Sequence, residues 1–202
     1  MTLGAGLQAL GLSASLAEPL AAYLQLLAKW NAAYNLTAIR DPEEMVVKHL
    51  LDSLVALPFV GVGSLVDVGT GAGLPGLPLA IAAPQLTVTL LDSNNKKTAF
   101  CTHAVAMLRL ANVKVVHARV EEHRAGPYQA IVSRAFSSVP EFCSATAHLG
   151  AAGGASRWLA MKGARPDAEL AALPAGFTVR AVHPLTVPGL DAERCLVELA
   201  RA

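Results

Sequence analysis

Three observations predict an α/β fold with a mostly parallel sheet. From Ser64 onward, short apolar runs alternate with segments of helical length. The first of these runs carries an acid and passes straight into a cluster of glycines, Leu65-Val66-Asp67-Val68-Gly69-Thr70-Gly71-Ala72-Gly73-Leu74-Pro75-Gly76. The chain closes with two apolar runs separated only by the turn-like Pro188-Gly189. Repeated β-α units imply right-handed crossovers, and strands joined without a helix are expected to pair antiparallel. The predicted organisation is a helical cap over residues 1–60 and a Rossmann-like domain over 61–202, packed as one unit.

Each element has a local cause. Ser15 and Glu18 have the spacing of a capping box before an apolar run through Leu20, Leu24, Leu27 and Trp30. Asp41-Pro42-Glu43-Glu44 combines a cap, a first-turn proline and acids at the positive end of the dipole. The helix it opens carries Lys48, His49 and Asp52. Tyr34-Asn35-Leu36-Thr37-Ala38 is a polar and aromatic link between these two helices. Strands are predicted at 65–68, 86–91, 113–117, 130–133, 158–161, 177–185 and 195–199, from apolar, β-branched runs bounded by turn residues. Helices are predicted at 76–83, 95–110, 140–149 and 166–173.

The chain of 202 residues is long enough for a substantial core, and 53% of it is hydrophobic. Sixteen basic and 15 acidic residues give a net charge of +1, which excludes a uniformly basic nucleic-acid binder but leaves room for a local patch. Cys101, Cys143 and Cys195 are scattered and odd in number, so buried thiols are expected, with neither a disulfide framework nor a metal site. No charge occurs between Asp67 and Asp92, but glycines and prolines interrupt that window, so no membrane-spanning helix is expected. No Lys or Arg precedes Lys29, so the basic start of a signal peptide is missing and a cytoplasmic location is expected. With no strong apolar seam, a monomer is expected.

The glycine cluster is the centre of the functional reading. Glycines admit positive φ and close approach of backbone to a ligand. Gly71-x-Gly73-x-x-Gly76 has the spacing of a dinucleotide fingerprint, but Asp67 at the mouth of the turn would repel a pyrophosphate and attract a cation. The expected ligand is a nucleoside that is cationic at its other end, as S-adenosylmethionine is. Asp92 closes the second strand 21 residues past Gly71, where an acid accepts from ribose hydroxyls or caps the following helix. Backbone groups at Val120 and Glu121 follow the third strand, where an adenine edge is read. Arg134 ends the fourth strand and places a fixed cation by the cleft.

Taken together, these residues resemble the bacterial small-subunit rRNA guanine-N7 methyltransferases, also called glucose-inhibited division protein B. The resemblance runs from about Trp30 to Leu199. It is carried by Asn35-Leu36-Thr37, His49-Leu50-Leu51-Asp52-Ser53, the glycine cluster with Leu74-Pro75-Gly76, Leu91-Asp92-Ser93 with Lys96-Lys97, Arg119-Val120-Glu121-Glu122, Ser133-Arg134-Ala135-Phe136, Met161-Lys162-Gly163 and Glu193-Arg194. It implies a class I methyltransferase sheet that uses S-adenosyl-L-methionine and releases S-adenosyl-L-homocysteine. The implied substrate is one guanine in the decoding-region hairpin of 16S rRNA, on the small subunit or its precursor. It further implies cofactor contacts at Gly69, Leu74, Val120, Glu121 and Arg134. To these the reading of the loop and strand ends adds Asp67, Thr70, Gly71, Gly73 and Asp92.

Guanine N7 offers an in-plane lone pair and has no proton to lose, so no general base is expected and no residue is assigned as a catalytic acid or base. Asn35, Lys96, Lys97, Lys162 and Arg194 are the candidate RNA contacts. A structural hydrogen bond between helix and sheet is expected of the His49–Asp52 pair. A small-molecule methyltransferase is the alternative. A nicotinamide-dependent oxidoreductase and a non-enzymatic binding module are the more distant readings.

Overall fold

The computed structural model describes residues 1–202 except Ala135 and Ala152. Ala135, within the Ser133–Phe136 motif, therefore lies outside the described residues. Helices α1 (Leu3–Ala9), α2 (Ala17–Tyr34), α3 (Pro42–Met45), α4 (Asp52–Leu54) and α5 (Leu57–Val60) come first. They are followed by β1 (Ser64–Val68), α6 (Gly76–Ala82), β2 (Thr87–Asp92), α7 (Asn95–Met107), β3 (Val113–His117) and β4 (Ala130–Ser133). Then come α8 (Val139–Thr146), β5 (Arg157–Lys162), α9 (Asp167–Leu170), β6 (Phe177–Pro184) and β7 (Cys195–Arg201).

Among the described residues the strands form one seven-stranded sheet in the order β3-β2-β1-β4-β5-β7-β6. β1 to β5 pair in parallel, and β7 lies antiparallel between β5 and β6. The chain starts at β1, builds to one side as far as β3, then crosses to β4. This reversal places a crevice outside the carboxyl ends of β1 and β4, where open α/β sheets take their ligands.

Side-chain parity divides the core into two layers. Leu65, Leu90, Ala130 and Val132 face Leu20, Tyr23, Leu27 and Leu50 of the N-terminal helices, with Leu77 and Phe100. Val66, Val68, Leu91, Ile131 and Trp158 face Phe142 on the other side. The N-terminal helices thus share a core with the sheet.

The predicted strands are found, 113–117 and 130–133 with the expected ends and the others with ends shifted by at most two residues. Two helical expectations need correction. Ser15 and Glu18 form no capping box: Ser13 caps a 3-10 turn at Ala14–Leu16, and α2 follows without a side-chain cap. The helix expected at 166–173 is reduced to Asp167–Leu170. The start at Asp41 is as expected, with Asp41 Oδ1 accepting from Glu44 N at 2.9 Å and Pro42 in the first turn. Between α3 and α4 the helix widens into a π-turn over Val46–Leu51. Such turns recur at functional sites. All three cysteines are buried free thiols. No helix among the described residues is long and apolar enough to cross a membrane.

Candidate active site

The glycine loop is held from three directions. Gly69 and Thr70 donate their backbone N–H groups to Leu91 O at 2.8 and 3.1 Å. Tyr23 Oη donates to Ala72 O at 2.7 Å from α2. Asp92 Oδ2 accepts from Gly71 N at 2.8 Å. Gly71 has φ +59°, a left-handed conformation that a side chain would strain. Gly76 is required for another reason: a Cβ there would sit 2.3 Å from Leu90 Cδ2 and 2.8 Å from Asp67 Oδ2.

Asp67 does not stand at the mouth of this loop. It is wholly buried, and Oδ2 accepts from Thr70 Oγ1 at 2.6 Å and Gly76 N at 2.8 Å. Oδ1 has no hydrogen-bond partner among the described residues. Burial raises the carboxyl from 3.8 to about 6, against the opposing pull of those two hydrogen bonds. The cause is parity. Asp67 lies two residues from Leu65 and so points beneath the loop into the layer shared with the N-terminal helices. Its task is to lock the loop onto the start of α6, and direct selection of a ligand by its charge is not supported.

A cleft of about 180 Å³ lies over the ends of β1, β2 and β3, lined by Gly69, Leu91, Asp92, Val120, Glu121 and Phe136 among others. Asp92 is 8% exposed and its Oδ1 accepts from Asn94 N at 2.8 Å. Asn94, not Asp92, caps α7, accepting from Lys96 N and Lys97 N. Backbone N–H groups thus fix both oxygens of Asp92, and each oxygen keeps a lone pair for a ribose hydroxyl. The amides of Val120 and Glu121 open a 3-10 turn, Val120–Glu122, where helix geometry supplies them no partner. His148 Nε2 lies 3.1 Å from Val120 O and 3.0 Å from His123 O. Two carbonyl partners require that nitrogen to carry the proton, so His148 braces the turn.

A second cleft, of about 160 Å³, continues from Gly69 past Gly71, Leu74 and Thr70 to Lys97, His49 and Arg134. A third, of about 380 Å³, opens beyond it and is lined by Lys48, His49, Asp52, Arg134, Lys162 and Arg194, with other residues. Gly69 is common to the first two clefts; His49 and Arg134 are common to the second and third. Arg134 has the parity of Ala130 and Val132, which sends its side chain toward the N-terminal helices. Its Nη1 donates to Lys48 O at 3.1 Å and Asp52 Oδ2 at 3.0 Å. Arg194 Nε donates to Asp52 Oδ1 at 2.8 Å. His49 Nε2 is 3.0 Å from Thr37 Oγ1. Burial, helped by the Arg134 guanidinium, lowers its pKa to about 4. The imidazole is therefore neutral at physiological pH.

The structure gathers most of the predicted site. Gly69, Thr70, Gly71, Leu74, Asp92, Val120, Glu121, Lys97 and Arg134 line the first two clefts, and Gly73 shapes the loop between them. Lys162 and Arg194 line the third, each already ion-paired: Lys162 with Glu169 at 3.0 Å, Arg194 with Asp52. Asn35 is an exposed left-handed helix end (φ 51°) whose Oδ1 accepts from Arg40, and Lys96 is exposed on the first turn of α7. The expected bond between helix and sheet is found at Asp52, while His49 bonds within the N-terminal region. His148 was not singled out by the sequence. Nothing local marks a residue that acts by bracing another loop 25 to 28 positions away.

The residues fit S-adenosylmethionine: an oriented carboxylate for a diol, free turn amides for a purine edge, a glycine loop for close approach, and a guanidinium for a carboxylate. The family model described as rRNA small subunit methyltransferase G matches residues 16–197. The chain is 54% identical over 200 residues to "Ribosomal RNA small subunit methyltransferase G" of Pseudomonas aeruginosa, covering 98% of this chain and 92% of that protein. It is 54% identical over 197 residues to the protein of the same name in Stenotrophomonas maltophilia, covering 97% and 92%. Among solved structures it resembles the mitomycin 7-O-methyltransferase MmcR (TM-score 0.64, 17% identity, 91% of this chain and 67% of that one). It also resembles TrmN from Thermus thermophilus (TM-score 0.59, 20% identity, 74% and 48%). These two likenesses show the shared fold. The match over nearly the whole length places the chain in the rRNA small subunit methyltransferase G family.

Proposed function

We propose that this protein transfers the methyl group of S-adenosylmethionine to N7 of one guanine in the decoding-region hairpin of 16S rRNA, acting as a cytoplasmic monomer. The observation that carries the reading is the continuity of the three clefts. A nucleoside-shaped run over the sheet ends opens, at His49 and Arg134, into a cleft lined by Lys48, Arg134, Lys162 and Arg194. Four cationic side chains against the one carboxylate of Asp52 leave this opening net positive, which suits a polyanion better than a neutral metabolite. Family membership and the relatives' names agree.

When bound, S-adenosylmethionine supplies an electrophilic methyl on a sulfonium. The protein's residues hold and aim. Asp92 would hold the ribose diol and the Val120–Glu121 amides the adenine edge. The glycine loop would bracket the middle, and Arg134 would hold the methionine carboxylate. His49, a neutral imidazole lining two of the clefts, would add no repulsion against a sulfonium. Guanine N7 presents a lone pair that carries no proton, so the chain's residues need supply no general base. Alignment is therefore sufficient, and rate comes from proximity. The helices of residues 1–60 act as the cap over the RNA side.

The test is mass mapping of modified nucleosides in 16S rRNA from a deletion strain and its parent. Transfer of labelled methyl by purified protein to small subunits, naked 16S rRNA and metabolites is run alongside. Loss of one N7-methylguanosine in the deletion strain, restored in vitro on RNA, is the expected result. An unchanged rRNA map with transfer to a metabolite would overturn it.

A further inference from the structure

Asp52 is 4% exposed, yet it is where two arginines from distant parts of the chain meet. Arg134, 82 positions away at the end of β4, donates to Oδ2, and Arg194, 142 positions away ahead of β7, donates to Oδ1. The two arginines have different exposures to ligand. Arg134 lines both the cofactor-side cleft and the cation-lined cleft, whereas Arg194 lines only the second.

A lone buried carboxylate would be costly, and two neighbouring guanidiniums would repel. One carboxylate between two guanidiniums removes both problems and leaves the trio with a net charge of +1. It also fixes the direction of each planar fork, since the Nη1 of one and the Nε of the other are tied to specific oxygens. The π-turn just before Asp52 sets this carboxylate facing the sheet end, with Lys48 adding its carbonyl to the hold on Arg134.

We propose that Asp52 is a positioning residue for methyl transfer, aiming Arg134 at the cofactor side and Arg194 at the RNA side so that the two binding events are coupled through one carboxylate. This rests on the methyltransferase reading above. An amide at this position offers one acceptor and presents an N–H to the other arginine, so one fork must turn away.

The experiment compares Asp52→Asn, Arg194→Gln and the double variant. It measures melting temperature, the S-adenosylmethionine dissociation constant without RNA, and KM and kcat on 16S rRNA. Asp52→Asn is expected to lower kcat/KM on RNA about 10- to 100-fold, the scale of a lost charged hydrogen bond. Arg194→Gln is expected to weaken S-adenosylmethionine about fivefold, although Arg194 does not line that cleft. The double variant is expected to lose less than the product of the single losses. Arg194→Gln leaves the buried Asp52–Arg134 pair in place, so it reports even where Asp52→Asn folds poorly. Unchanged cofactor affinity in Arg194→Gln would overturn the proposal. So would independent, multiplying losses, or a lowered melting temperature in Asp52→Asn with wild-type KM and kcat. If the wild type methylates no 16S rRNA while cofactor affinity still responds to Arg194→Gln, the functional reading fails and the coupling stands.

Discussion

Tyr23 donates its phenolic hydrogen to the carbonyl of Ala72 at 2.7 Å, linking the middle of α2 to the crest of the glycine loop. Burial raises the phenol pKa, so the donor proton is retained. Tyr23→Phe leaves that buried carbonyl unsatisfied and frees one side of the loop. The expected loss of stability is about 1–3 kcal/mol, with several-fold weaker S-adenosylmethionine binding. Urea unfolding and calorimetric titration measure the two effects.

Asp67 and His49 give opposite pH dependences. Asp67 titrates near 6 when folded and near 3.8 otherwise, so the folded chain keeps a proton that the unfolded chain has lost. Its contribution to stability falls as pH rises from about 4 to 6 and is constant above. A shift of this size corresponds to about 3 kcal/mol. His49 titrates near 4 when folded against 6.5, so its contribution falls as pH drops from 6.5 to about 4. The two largely offset. Relative to the wild type, Asp67→Asn should therefore gain stability as pH rises from 4 to 6.5, as followed by denaturant unfolding at several pH values. A constant difference across that range would contradict the buried carboxyl.

Positioning without a general base predicts a flat pH–rate profile. Single-turnover rates with saturating RNA and cofactor should change less than about twofold between pH 6.5 and 8.5. His49 lines both the second and third clefts, and it is already neutral throughout that range. A tenfold rise per pH unit would demand a base.

His148→Ala should weaken S-adenosylmethionine about five- to tenfold while lowering stability by less than about 1 kcal/mol, because this side chain is exposed. Its hydrogen bonds to Val120 O and His123 O brace the turn proposed above to take the adenine edge. KM on RNA should stay unchanged. Isothermal titration separates the two affinities.

Lys162 is paired with Glu169, whose Oε2 also accepts from Val139 N at 2.6 Å and so already has a second duty at the start of α8. Lys162→Ala should weaken RNA binding, reduce the slope of log affinity against log salt by about one, and leave cofactor affinity intact. Filter binding across a salt series gives the answer.

The sequence by itself determined what short-range chemistry controls. Apolar runs of strand length, the Asp41-Pro42 helix start, the glycine loop and the hairpin around Pro188-Gly189 are each written in neighbouring residues. So are the cleft-lining positions Gly69, Asp92, Val120 and Arg134, because strand ends in an alternating α/β chain converge on one edge. Only the tertiary structure decided where side chains separated by many positions meet. It turned Asp67 under the loop, because a two-residue period sets it with Leu65 against the N-terminal helices. It placed β7 between β5 and β6, and it brought Arg134 and Arg194 onto the single carboxylate of Asp52. Local spacing fixes the face a residue takes within its own element; the partner on the opposing face depends on how the layers pack.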